Sequence, residues 1–294
     1  MLHLSLDGPT LVTGGEGALA SDLAALLKGG SDLHVLSRSE LDVTDAARVA
    51  DACDAIRPRV VINTAAFHDV DGCERAEARA FAVNATAVKG LAEHSAHAGA
   101  RLVHFSTNYV FDGVRREPYA EDDPPAPQSV YAVSKLAGER FALAYAPDAL
   151  VVRTAGLYGL RGSRVKGGNF VERVIARARA DGEISMVADQ QLTPTFTADL
   201  AGAVVQAVAA GATGVVHLTN SGSCSWLEFT EAIFEQAGID ARIRAVATEP
   251  REGLARRPLN GVLARPRADA LGLEPMRPWR EALDAYMGQA GLRS

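Results

Sequence analysis

Short apolar runs alternate with alanine-rich amphipathic stretches through the first half of the chain. Leu11–Thr13, Leu33–Leu36, Val60–Asn63, Leu102–Ser106 and Leu150–Thr154 read as strands. Runs this apolar suit strands buried on both faces of a parallel sheet. Helical stretches fall between them at about 17–28, 45–56, 74–98 and 129–145. The alternation predicts an α/β fold, a Rossmann-type doubly wound parallel sheet. Ligands of such sheets bind at the carboxyl ends of strands. Those tips are Thr13, Leu36-Ser37-Arg38, Asn63-Thr64-Ala65-Ala66, Ser106-Thr107 and Arg153-Thr154. After residue 153 the pattern loosens. A Gly- and basic-rich stretch at 156–168 precedes a helix at about 169–181, a strand at 184–187 and a helix–strand unit over about 197–219. Helices near Ser225–Ala237 and from Trp279 follow. The expected division is a dinucleotide-binding domain over 1–153 plus about 190–219, and a smaller α/β substrate-binding lobe over 154–189 and 220–294.

The first strand runs into Gly14-Gly15-Glu16-Gly17-Ala18-Leu19-Ala20 and then a helix. A strand, a glycine turn and a helix N-terminus make an anion site, because backbone amides and the helix dipole both favour a pyrophosphate. Gly14, Glu16, Gly17 and Ala18 are therefore candidate cofactor contacts. Gly14 and Gly17 allow the tight turn and the close approach of phosphate; Ala20 stands where a third glycine is common. The second strand ends at Ser37-Arg38, with no acidic residue to hold ribose hydroxyls. Arg38 could instead meet an adenosine 2′-phosphate, which favours NADPH, or be an ordinary solvated Arg. Asp42 and Val43 lie within reach of an adenine, and Asp42 equally suits a helix cap. Ala65 and Ala66 sit on the third strand tip.

Tyr131 and Lys135, four residues apart in Tyr-Ala-Val-Ser-Lys, share one face of a helix. Thr107, at a strand tip, can reach the same space. Such a set can protonate a carbonyl oxygen while a nicotinamide delivers hydride. A phenol is a weak acid at neutral pH. A cation about 4 Å away at an effective dielectric near 20 is worth roughly 4 kcal/mol, enough to bring it towards the operating pH, where acid catalysis is most effective.

Composition narrows the class. The chain has 294 residues, 48% of them hydrophobic and 22% charged, enough for a sizeable core. A net charge of −6 argues against a nucleic-acid footprint. Basic residues do cluster at 161–179 and 251–267, either as solvated faces or as attraction for an anionic substrate. No apolar run reaches the roughly 20 residues of a membrane helix, and Met1–Ser5 lacks the basic start of a signal peptide. A cytoplasmic protein with no membrane partner is expected. Cys53, Cys73 and Cys224 form no C-x-x-C and read as reduced structural thiols. The seven His show no metal-ligand spacing; His68, just past a strand end, is the one near the expected cofactor site.

Several motifs together resemble the extended short-chain dehydrogenase/reductases, and within them the dTDP-4-dehydrorhamnose reductase family. They include Asn63-Thr64-Ala65-Ala66-Phe67, Val70-Asp71, Val83-Asn84-Ala85, His104–Gly113, Tyr131–Glu139, Arg153–Gly159, Gly168–Val171, Asp189-Gln190 with Pro194-Thr195, His217–Asn220, Cys224-Ser225-Trp226 and Arg257–Asn260. The resemblance covers nearly the whole chain. It implies reduction of the 4-keto group of a dTDP-6-deoxy-hexulose to dTDP-L-rhamnose with NADPH or NADH. Tyr131 would be the proton donor, and Lys135 would lower its pKa and bind the nicotinamide ribose. Thr107 would hydrogen-bond the substrate carbonyl, and Asn84 would belong to the cofactor site. Tyr109 and Asn169 would face substrate, and Arg257 would grip the pyrophosphate, as Arg forks match paired phosphate oxygens. Two positions depart: Asn108 stands where the family usually has Asp, and Gly156 where it often has Trp, leaving a pocket wall that is wider or lined from elsewhere. Trp226 and Trp279 read as core or lobe-packing residues.

Some family members form magnesium-linked dimers through carboxylates; no matching carboxylate set is visible here, so a monomer or a homodimer is expected. A dehydratase would need a carboxylic acid and a base beside Thr107, and Asn108-Tyr109 supplies neither. A nucleotide-sugar epimerase, and a non-catalytic NADP-binding subunit like the regulatory subunit of methionine adenosyltransferase, stay open as alternatives.

Overall fold

Every strand of the main sheet is short and apolar on both sides, and the structure explains why. In the computed structural model, which describes residues 6–29, 32–161, 167–249 and 252–294, successive residues of each strand enter two different cores. Strands β1 (Thr10–Thr13), β2 (Leu33–Leu36), β3 (Val60–Asn63), β4 (Arg101–Thr107), β5 (Leu150–Thr154) and, later, Gly214–His217 form one parallel sheet. Val12, Ile62, Val103 and Val152 face one core; Leu11, Val61, Leu102 and Val151 face the other. Helix α1 (Ala18–Leu27) presents Leu19, Leu23 and Leu27, spaced four apart, to the first core. Helix α2 (Ala46–Ile56) covers the second core with Val49 and Cys53 and is capped by Asp45, which accepts from the Arg48 amide at 3.2 Å. The cap is thus Asp45 and not Asp42.

The long helix expected over 74–98 is broken. Helices α3 (Val70–Arg75) and α4 (Glu77–Phe81) meet at Ala76, which leaves helical geometry (φ −140°, ψ 55°). A π-helical turn, Ala82–Thr86, then leads into α5 (Ala87–His97). Alanine has the best helix propensity, so no local signal marks the break. Asn84 in the π turn accepts from the Phe67 amide (2.8 Å) and donates to the Phe67 carbonyl (3.0 Å) and Ser134 Oγ (3.0 Å). Helix α6 (Val130–Tyr145), capped by Ser129, packs on this turn at Gly138, where an added Cβ would lie 2.1 Å from the Asn84 carbonyl oxygen. The buried bidentate pair Glu139–Arg153 (2.8 and 2.9 Å) fastens α6 to β5.

The second half adds β6 (Leu157–Tyr158), α7 (Phe170–Asp181), β7 (Glu183–Val187), β8 (Gln191–Leu192), β9 (Thr195–Phe196), α8 (Thr197–Ala209), β10 (Gly214–His217), β11 (Cys224–Ser225), α9 (Trp226–Ala237), β12 (Arg242–Val246), α10 (Pro266–Ala270) and α11 (Trp279–Gln289). Helix α8 returns to the main sheet and delivers β10 as its sixth strand, beside β5. Helices α7, α9 and α11 build a separate core around Val171, Ile175, Phe229, Ile233, Trp279 and Tyr286, and β7 pairs with β12 in parallel. Capping boxes start α7 (Asn169 with Glu172) and α9 (Ser225 with Glu228). Ala268, Leu273 and Met276 pack into the main-sheet core, so the 220–294 region is shared between the two cores. Strand order is β10-β5-β4-β3-β1-β2, so the winding reverses between β1 and β3.

Candidate active site

The reversal leaves a crevice outside the carboxyl ends of β1 and β3, where doubly wound sheets bind ligands. It opens into a cleft of about 2160 Å³, well beyond the roughly 300–1,000 Å³ of a typical small-molecule pocket. Two sizeable ligands fit such a space. At its floor the two strand tips are tied together. Thr13 Oγ1 donates to Asn63 Oδ1 (2.8 Å), Thr64 Oγ1 donates to the Thr13 carbonyl (2.6 Å), and Asn63 Nδ2 meets His104 Nδ1 (3.2 Å). Gly14 turns the chain with φ +74°, and an added Cβ there would lie 2.8 Å from the Ala65 amide nitrogen. Gly17 is the N-cap of α1 and makes no side-chain cap, so the first turn of α1 can offer its amides to an anion. Gly14, Glu16, Gly17, Ala18, Ala65 and Ala66 all line the cleft.

Arg38, Asp42 and Val43 line the same end. Arg38 donates from Nε and Nη2 to Asp42 Oδ2, both at 3.1 Å, and is 64% exposed. The Thr44 hydroxyl and amide, with Arg38, hold the Asp42 carboxyl below the usual range. Asn84 differs from the expectation that it meets cofactor. It is fully buried, and its amide is committed to Phe67 and Ser134. It shapes the loop after β3 from behind.

Helix α6 brings Tyr131 and Lys135 to the cleft beside the tip of β4. The Tyr131 phenol is hydrogen-bonded to Thr107. Thr107 Oγ1 also donates to Asn108 Oδ1 (3.3 Å) and accepts from the Tyr109 amide (3.2 Å). The expected lowering of the Tyr131 pKa by Lys135 is not what the geometry produces. Desolvation pushes the phenol up, and the Thr107 hydrogen bond offsets this only in part. The Lys135 ammonium instead donates to the Phe105 carbonyl at 2.6 Å and lies 3.5 Å from His104 Nε2. Burial pulls Lys135 down to about 8, with Glu139 opposing, and His104, buried beside it, falls well below its ordinary value.

Tyr109 and Arg257 also line the cleft. Arg257 Nη2 donates to Asp71 Oδ2 at 2.8 Å and its guanidinium is hydrogen-bonded to the Tyr109 hydroxyl. Asn169 borders the cleft but is absorbed in framework contacts. Its Oδ1 caps α7, and its Nδ2 donates to the Gly159 carbonyl (2.8 Å) and Tyr286 Oη (2.7 Å). Gly156 has φ +55°, with Leu192 Cδ1 2.8 Å from an added Cβ, so this backbone excludes a large side chain there. The wall is lined from elsewhere, by Leu157, Phe170, Met186 and Trp226, the last two aromatic rings lying 4.4 Å apart. Trp226 therefore reaches the cleft as well as packing on the lobe core, whereas Trp279 is buried in that core. Asn108 donates to the Gly261 carbonyl at 3.0 Å.

Of the basic clusters, Arg161, Arg173, Arg177, Arg256 and Arg257 border the cleft. Arg265 and Arg267 are tied to the backbone at Leu273 and Thr213. Arg164, Lys166 and Arg251, like Met1–Ser5, lie outside the described residues. Among the described residues no group of three or more His, Cys, Asp or Glu could hold a metal, and no helix is long and apolar enough to cross a membrane. Sequence reasoning assigned no role to Ser106 and Thr154, whose buried hydroxyls have no partner within the protein although both residues line the cleft. Their place on strand tips was the available signal. It named Asn63 only as a strand tip and gave His104 no role, because a polar residue inside a β-run carries no mark of what it will face.

Residues 9–291 match the RmlD substrate binding domain family. The chain is 41% identical over 294 aligned positions to the dTDP-4-dehydrorhamnose reductase of Streptomyces griseus, covering 96% of this chain and 95% of that one. It is 40% identical to a probable dTDP-4,6-dihydroxy-2-methyloxan-3-one 4-ketoreductase of Streptomyces antibioticus, covering 93% and 92%. Among solved structures, dTDP-4-dehydrorhamnose reductase of Bacillus anthracis in complex with NADP superposes with a TM-score of 0.90 at 34% identity, covering 95% of this chain and 98% of that one.

Proposed function

This chain belongs to the RmlD substrate binding domain family, and from that premise we propose that it is an NADPH-dependent oxidoreductase that reduces the 4-keto group of a dTDP-linked 6-deoxy-hexulose. The specific reaction we assign is dTDP-4-dehydrorhamnose to dTDP-L-rhamnose. One observation carries the reading: the hydrogen-bonded Thr107–Tyr131 pair, with Lys135 one turn along α6, borders the same cleft as the uncapped N-terminus of α1. The large lobe, 1–153 with about 190–219, holds the dinucleotide, and the residues of 154–189 and 220–294 that border the cleft hold the sugar nucleotide.

The cradle fits a dinucleotide on this chain's own geometry. Gly14 leaves room at the strand tip, the first-turn amides of α1 are free to receive an anion, and the exposed Arg38 can turn from Asp42 to a 2′-phosphate, which favours NADPH over NADH. When bound, that cofactor supplies the hydride. Tyr131, kept protonated by burial, stays a donor until negative charge develops on the carbonyl oxygen, and then releases its proton to it. Thr107 orients the Tyr131 phenol and hydrogen-bonds the same oxygen. Lys135, which at about 8 can hold or release a proton near neutral pH, would border the nicotinamide ribose and return a proton to the site. Arg257 and Tyr109, beside Tyr131, would meet the sugar nucleotide.

A panel of dTDP-4-keto-6-deoxy sugars assayed for NADPH oxidation tests the reading. Stoichiometric NADPH consumption with the dehydrorhamnose is expected. Tyr131→Phe should lower kcat by about 10²-fold or more through loss of general acid catalysis, while NADPH still binds. Turnover without added NADPH would point to an epimerase. Cofactor binding with no turnover of any sugar would point to a non-catalytic subunit.

A further inference from the structure

Asp71 is the second residue of α3 and lines the cleft, yet the two groups that hydrogen-bond its carboxylate come from the far end of the sequence. Its carboxylate accepts from the Ala255 amide (3.1 Å) and from Arg257 Nη2 (2.8 Å). Arg257 passes the contact on to the Tyr109 hydroxyl. The Tyr109 ring in turn meets Tyr131 edge-on, with centroids 5.8 Å apart and planes at 87°. Leu254, Ala255, Arg256, Arg257 and Leu259 all border the cleft. Residues 255–258 adopt neither helix nor strand, so few regular hydrogen bonds hold that wall in place. The carboxylate of Asp71 supplies one to its backbone and one to its side chain.

Asp71 and Arg257 keep 27% and 32% of their side-chain surface. An ion pair this exposed contributes little to global stability. Its effect is local: it decides where a coil segment sits, and segments with few packed contacts respond most to losing one. We propose that Asp71 is a positioning residue, which clasps the 255–257 segment and, through Arg257 and Tyr109, sets the orientation of the Tyr131 ring. The inference rests on the reading of Tyr131 as proton donor.

Two variants separate its parts. Asp71→Ala removes both contacts. Tyr109→Phe keeps the ring edge against Tyr131 but breaks the link to Arg257. The NADPH-loaded full chain is followed by hydrogen exchange at the Ala255 amide, by thermal melting and by steady-state kinetics with the best substrate of the panel. In Asp71→Ala the Ala255 amide should exchange faster with the melting transition little changed. Its kcat should fall by about tenfold or more, as a small misplacement of a reacting group does, with KM for NADPH unaltered. Because the two residues act in one chain, the double variant should be no slower than Asp71→Ala alone. Full additivity of the two losses, or a normal kcat with a loosened segment, would overturn the proposal. Unaltered exchange at Ala255 overturns the clasp whatever the substrate is, whereas failure of the unsubstituted protein to turn over any dTDP-sugar overturns the substrate reading instead.

Discussion

Asn108 donates its amide nitrogen to the Gly261 carbonyl and is 4% exposed. Gly261 has no space for a Cβ, which would lie 2.1 Å from Asn108 Nδ2. A carboxylate at this position would set an acceptor against an acceptor. The departure from the Asp that the family resemblance leads one to expect has a local setting here, in which Gly261 and Asn108 form a matched pair. Asn108→Asp should destabilise the protein by about 1–3 kcal/mol, the cost of an unpaired buried polar group, read as a lower midpoint in urea. A midpoint equal to that of the unsubstituted chain would show that the segment around Gly261 shifts freely. Tyr131 and Lys135 carry a different lesson at this scale. Spacing along a helix put both on one face, but Lys135 extends to the Phe105 carbonyl, and burial governs the phenol.

The glycine turn and the start of α1 divide their work by position. Gly14 holds φ +74° against the Ala65 amide, so a side chain there is strained and crowded whatever the ligand. Gly17 has φ −76°, and an added Cβ would meet only the Gly14 carbonyl oxygen, at 3.3 Å. Gly14→Ala should thus lower stability by roughly 1–2 kcal/mol or more from the left-handed backbone alone. Gly17→Ala should melt like the unsubstituted protein yet bind NADPH about tenfold more weakly, a loss near 1.4 kcal/mol, because the side chain intrudes where a phosphate meets the amides. Calorimetry and cofactor fluorescence read the two effects separately; equal melting losses in both variants would contradict the division. Helix α6 shows the same logic. Gly138 is small because the π turn needs its backbone close, and that turn places Asn84 behind the loop after β3.

Across the molecule, the far edge of the sheet is closed by a buried polar network. Arg153 pairs with Glu139, Glu121 accepts from the His217 amide (3.0 Å), and His217 Nδ1 donates to the Ala264 carbonyl (2.8 Å). Burial, then the charge of Arg153, draws His217 down to about 3, with the Ala264 and Tyr119 backbone and Asp123 opposing. The unfolded chain takes up a proton near the ordinary imidazole value of 6.5 while the folded chain does not. The stability tied to neutral His217 is therefore present above pH 6.5 and is lost as pH falls from 6.5 towards about 3. Between pH 6.5 and about 4 this one group should cost on the order of 3 kcal/mol. His217→Gln keeps a donor for Ala264 and cannot titrate, so its unfolding free energy should fall less steeply over that window. Parallel pH profiles for the two proteins would exclude His217 as a source of acid sensitivity.

Local chemistry was enough for the sheet and for one side of the cleft. Short apolar runs alternating with helical stretches suit strands buried on both faces of a parallel sheet, so β1 to β5, α1 and the Gly14–Gly17 turn between β1 and α1 were legible in sequence. The same holds for Tyr131 and Lys135, whose spacing is a property of one helix. What the sequence did not hold was any relation between residues far apart in it. The π turn at Ala82–Thr86 answers through Asn84 to Phe67 and Ser134, Asn169 is committed to Tyr286, and the link from Asp71 to Arg257 spans two ends of the chain. Hydrogen bonds and ion pairs have a reach of a few ångströms and no memory of sequence distance, so only the folded arrangement decides which polar groups find each other, and with them which candidate residues face a ligand and which hold the framework.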